Sequence, residues 1–70
     1  MKKIVINTEY IKLNQFLKWA GICETGGEAD IVIAQEKVSV NGLKEIKRGK
    51  KLYPGDRVEI YGSEYLITGE

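Results

Sequence analysis

The chain has 70 residues, 43% of them apolar and 30% charged, and a formal charge of only +1. That length holds one thin core in a single domain spanning 1–70, with no room for a deep closed pocket. The composition is that of a folded protein rather than a disordered segment. A lone cysteine, Cys23, and no histidine exclude an intramolecular disulfide and remove the usual zinc ligands, so no metal or cofactor is expected.

Met1-Lys2-Lys3 is basic and Ile4-Val5-Ile6 apolar, but the apolar run stops at Asn7. A membrane helix takes about 20 such residues, and a signal peptide also needs a longer run. The expectation is a soluble, cytoplasmic protein with no membrane partner. Ile4-Val5-Ile6 reads as a short β-branched strand. Next, Leu13, Phe16, Leu17 and Ala20 recur at helical spacing, with Asn14 as the expected cap and Gly21 as the stop. Lys12, Gln15 and Trp19 share the adjoining side of that helix, with Lys18 farther round. A tryptophan beside lysines can stack on a nucleobase; the plainer alternative is that Trp19 closes the edge of the core.

Thr25-Gly26-Gly27-Glu28 is a capping box, in which hydroxyl and carboxylate bond each other's backbone N–H groups. It predicts a second helix through Ala29, Val32 and Ile33, ending near Gln35 or Glu36. Glycines at a helix start leave amides open to an anion, but Glu24 and Glu28 beside them repel one. Val38-Ser39-Val40 then alternates as a strand, and Asn41-Gly42 suits a two-residue hairpin turn. Leu43 and Ile46 are expected to open the return strand. Pro54-Gly55 fits a type II turn and delivers the alternating strand Asp56 to Tyr61. Tyr65-Leu66-Ile67 reads as a last strand pairing near the first. The expected fold is α+β, two packed helices beside a small, mainly antiparallel sheet.

Charge is sorted along this layout. Lys37, Lys44, Lys47, Arg48, Lys50, Lys51 and Arg57 face only Glu45 and Asp56 within their span, a local charge of +5. Residues 24–36 carry −4 and residues 58–70 carry −3. A concentrated cationic patch on a small scaffold is the footprint of a phosphate-backbone binder.

The ordered strings Leu13-Asn14-Gln15-Phe16-Leu17-Lys18, Thr25-Gly26-Gly27-Glu28-Ala29, Val38-Ser39-Val40-Asn41-Gly42 and Arg48-Gly49-Lys50-Lys51-Leu52-Tyr53-Pro54-Gly55-Asp56-Arg57-Val58 resemble the S-four RNA-binding domain, also called the alpha-L motif. The resemblance covers about residues 10–61 and is nearest to the small stand-alone bacterial members. It implies that the helix pair and the loop after the hairpin form one surface for structured RNA, with ribosomal RNA or tRNA as the abundant candidates. The implied contacts are Lys12, where the family has a basic residue opening the first helix, Lys37 at the hairpin entry, and Lys44, Lys47, Arg48, Lys50 and Lys51 in the loop. Gln15, Lys18 and Trp19 join them from the residue reading above. Asn41-Gly42, Leu52, Pro54, Gly55, Asp56 and Val58 have structural roles in the resemblance. Three positions depart from the family pattern. Gly26-Gly27 replaces a frequent arginine pair, Asp30 replaces a base, and Glu36 replaces a helix-ending glycine, which implies a different exit from that helix.

Readings from other classes fit less well. No histidine is available to activate Cys23, so catalysis and a small-molecule substrate are not expected. Gly55-Asp56-Arg57-Val58-Glu59 is comparable to a strand of small β-grasp sulfur carriers, but those need a terminal Gly-Gly where this sequence reads Thr68-Gly69-Glu70. A module binding an acidic protein partner through the basic loop is the remaining alternative. The expected state is a monomer.

Overall fold

The computed structural model describes residues 1–70. Its elements in chain order are β1 (Lys2–Ile6), β2 (Ile11–Lys12), α1 (Leu13–Trp19), α2 (Gly26–Ala34), β3 (Val38–Val40), β4 (Leu43–Lys44), β5 (Lys51–Leu52), β6 (Arg57–Ile60) and β7 (Ser63–Gly69). Five strands form one sheet in the order β1-β7-β6-β3-β4, and β2 and β5 pair as a separate short ladder. β1 runs parallel to β7, from Lys2 opposite Tyr65 to Ile6 opposite Gly69, while the other pairs are antiparallel. The expected α+β architecture is the one observed. No helix is long and apolar enough to cross a membrane.

The core follows from the two periodicities. Leu13, Phe16 and Leu17 of α1 and Ala29, Val32 and Ile33 of α2 are buried, as helical spacing requires. Val38, Val40, Val58, Ile60, Tyr65 and Ile67 come from alternate strand positions and join them in one cluster. Phe16 meets Tyr65 edge-on with ring centroids 6.0 Å apart. Each buried Leu, Ile, Val or Phe side chain contributes about 1.5–3 kcal/mol by leaving water.

Helix ends explain where the chain turns. At the end of α1, Gly21 has φ 76°, and the N–H groups of Gly21 and Ile22 donate to the carbonyls of Lys18 and Leu17. That Schellman closure needs a left-handed residue, which glycine supplies without steric cost. The same closure ends α2, where Glu36 N–H donates to Ile33 and Lys37 N–H to Val32. Glu36 itself is left-handed, φ 60°. The different helix exit expected from a glutamate is therefore not taken; tertiary packing holds the glycine-type geometry at a cost.

Three smaller expectations also change. The Thr25 hydroxyl accepts from Glu28 N–H at 3.1 Å, but the Glu28 carboxylate sits beside Cys23 instead of reaching back to the cap. Ile46 lies beyond the end of β4, because the chain leaves the sheet to enter the basic loop. Tyr61 belongs not to a strand but to a second tight turn, with φ 52° at Tyr61 and 74° at Gly62. Nothing in the sequence marks a tyrosine for that conformation. The hairpin at Asn41-Gly42 has the anticipated positive φ values, 52° and 85°.

The Glu36 strain is testable. A left-handed L-residue costs about 1–2 kcal/mol, and glycine's extra unfolded-state freedom returns about 0.5–1 kcal/mol of that. Glu36→Gly is expected to raise unfolding stability by about 0.5–1 kcal/mol in urea titration, with an unchanged denaturant slope.

Candidate nucleic-acid interface

The site is organised by the start of α1. Lys12 stands at the cap position, and no side chain caps the helix. The first amides bond the backbone of the basic loop instead. Leu13 N–H donates to the Lys50 carbonyl at 2.8 Å, and Asn14 N–H to the Arg48 carbonyl at 3.0 Å. Helix-start amides are obligatory donors once water is excluded, so they hold the loop tightly. Asn14 is thus not the cap. It lies inside the helix, where its Oδ1 accepts from Gln15 N–H and its Nδ2 donates to Asp30 Oδ1.

This docking gathers cations distant in sequence. β2 and β5 place Lys12 directly opposite Lys51. The Lys51 ammonium lies 4.9 Å from the centre of the Tyr10 ring, and Tyr10 packs on Tyr53. Lys50 N–H donates to the Lys47 carbonyl, closing a turn that carries Arg48 and Gly49. Lys12, Lys47, Arg48, Lys50 and Lys51 are all exposed around the start of α1. Like charges directly across a ladder are unfavourable unless an anion lies between or above them.

Asp30 acts differently from a simple loss of positive charge. Its Oδ2 pairs with Arg48 at 3.2 Å, while Asn14 holds the other oxygen. The Arg48 side chain remains 71% exposed, against 30% for Asp30. An ion pair this open is worth about 0–1 kcal/mol. It orients the guanidinium without burying it, and its free N–H groups still face solvent.

The remaining candidates fall elsewhere. Glu45 N–H donates to the Val38 carbonyl, which brings the start of β3, and Lys37 before it, to the root of the loop. Lys44 pairs with Ser39 on the edge strand, in a cross-strand row that continues to Glu59 and Glu64. Arg57 borders the same polar concavity with Glu59 and Glu64. These two cations leave the loop wall for the outer face of the sheet. Gln15, Lys18 and Trp19 line an open groove of about 530 Å³ beside α1. Lys2 and Lys3 lie on β1, at the sheet edge opposite β4.

A clasp that sequence reading missed sets the loop's far end. Asn41 Oδ1 accepts from Arg57 N–H, its Nδ2 donates to Asp56 Oδ1, and Asp56 Oδ2 accepts from Tyr53 N–H. The hairpin turn and the Pro54-Gly55 turn are thereby one unit, which fixes where β5 ends and β6 begins. Each turn was visible alone; their contact was not. Cys23 is buried. Burial pushes its thiol up and the Glu28 carboxylate pushes it further, so it stays protonated at neutral pH.

Comparison with known proteins identifies the family and the fold. Residues 4–68 match the model of the S4 domain. Over 59 residues the chain is 48% identical to the probable ribosome maturation protein RlbA of Bacillus subtilis (strain 168), a match covering 84% of this chain and 83% of that protein. The solution structure of YbcJ from E. coli, described as revealing an alfaL motif involved in RNA-binding, superposes with a TM-score of 0.73 at 28% identity, covering 97% of this chain and 87% of that one. By its matched residues and its fold, the chain belongs to the S4 domain family of RNA-binding motifs.

Proposed function

We propose that the chain is a non-catalytic, cytoplasmic RNA-binding protein that grips structured RNA, ribosomal RNA or tRNA, and serves ribosome maturation. In this reading residues 1–70 act as one monomeric RNA-binding domain. The observation that carries it is the register pairing of Lys12 with Lys51 beside the docked Arg48–Lys50 segment. That arrangement raises the local positive potential although the total charge is +1. The S4 family membership and the likeness to a probable ribosome maturation protein support the choice of RNA and of process.

The mechanism is electrostatic and positional. Lysine and arginine neutralise phosphates and release condensed counterions, which supplies affinity without reading sequence. Lys12, Lys47, Lys50 and Lys51 act as point charges, while Arg48 forks onto two phosphate oxygens. Asp30 holds Arg48 pointed outward until a phosphate shares its guanidinium. The sheet offers no row of exposed aromatics for splayed single strands, so the wall reads the shape of a folded RNA. Lys37 extends the wall at its root.

Two measurements test this. Binding of a ribosomal RNA fragment across a salt series is expected to give a log–log slope of about −4, from five phosphate contacts at 0.7–0.9 each; a slope near zero would refute backbone-driven binding. Lys47→Glu with Arg48→Glu is expected to weaken binding about 30-fold or more near 0.1 M salt, with unchanged circular dichroism. Lys2→Glu with Lys3→Glu, on β1, is expected to change it little. Equal losses from both double variants would show that the loop wall is not the site.

A further inference from the structure

The groove beside α1 is not used by the phosphate contacts. Its apolar lining comes from Ile6, Tyr10, Ile11 and Trp19, and Lys18 stands among its polar residues. At about 530 Å³ it lies within the range of small-ligand sites, roughly 300–1,000 Å³. Trp19 is 63% exposed, and its indole Nε1–H donates to the Val5 carbonyl at 3.3 Å. That bond ties the ring's polar edge to β1 and leaves much of its apolar surface uncovered. The Thr8–Tyr10 part of the lining is also tied down, since the Thr8 hydroxyl donates to the Tyr10 carbonyl at 2.8 Å.

We infer that this groove holds a single unpaired nucleobase of the bound RNA, stacked against Trp19 while its flanking phosphates rest on Lys18 and Lys51. The inference rests on the RNA-binding reading above and adds a specific ligand to it. Continuity and charge favour a base over another apolar occupant. The Lys51 ammonium sits over the ring of Tyr10, which is itself part of the groove lining. Ile11 of the lining directly precedes Lys12 of the cationic wall. An aromatic slot rimmed by cations matches a planar ring carrying a phosphodiester on each side. Asn7 and Gln15, also on the lining, bring amide donors and acceptors suited to base edges. The slot therefore selects RNA with a bulged or flipped base, a preference that the phosphate wall alone does not have.

Trp19 is the sole tryptophan, so its fluorescence reports the slot directly. The experiment compares a short RNA hairpin with one bulged adenosine against the same hairpin fully paired. The bulged hairpin is expected to quench Trp19 and to bind Trp19→Ala about tenfold more weakly than the parent. The paired hairpin is expected to leave the fluorescence and its own affinity nearly unchanged, and Trp19→Tyr to keep most of the bulge preference. Equal quenching by both hairpins, or equal losses from Trp19→Ala, overturns the base slot. If both RNAs then still bind with a steep salt dependence, the phosphate wall survives that failure. Absence of salt-dependent binding to either hairpin overturns both readings.

Discussion

A helix of seven residues cannot stabilise its own first turn, and α1 begins without a side-chain cap. Its leading amides are satisfied by the carbonyls of Arg48 and Lys50, so the helix start and the basic loop exist as one structure. Loss of either partner would leave donors or carbonyls without bonds in a partly dry junction, at about 1–3 kcal/mol each. This dependence explains how a loop rich in lysines stays ordered. Mutual repulsion favours an extended, mobile segment; backbone bonds to the helix oppose it. The Asn41–Asp56 clasp constrains the same loop from its other side.

The arrangement also changes what net charge means here. A total of +1 suggests no preference for polyanions, yet five cations crowd the start of α1 while Glu59 and Glu64 lie on the sheet. Glu59 and Glu64 face each other across the outer sheet. Two acids lie within the cationic region: Glu45 Oε2 accepts from Lys47 N–H, and Asp30 orients Arg48 while Asn14 steadies it. A position where the family often carries a base has thus become a positioning residue for one.

Much of the scaffold is legible in the sequence. Leu13, Phe16 and Leu17 announced a buried helix face, and Asn41-Gly42 announced the hairpin, because both depend on local spacing and local dihedral preference. The sequence implies a different helix exit at Glu36 and carries no signal for the Tyr61-Gly62 turn, since in both places tertiary packing overrides what those residues prefer alone. The run of seven cations does not share one face. Strand alternation carries Lys44 and Arg57 to the outer sheet whatever their charge, while Lys12 joins the wall from far earlier in the chain.

Sequence by itself determined both helices, the longer strands, most core positions and the local surplus of cationic side chains, because these follow from periodicity, turn chemistry and composition. Only the folded chain decided which cations stand together, that Asp30 aims Arg48, and that Trp19 borders a groove continuous with the wall. The reason is physical. Hydrogen-bonded register and helix-start docking join residues tens of positions apart, and no local pattern in either segment encodes its partner.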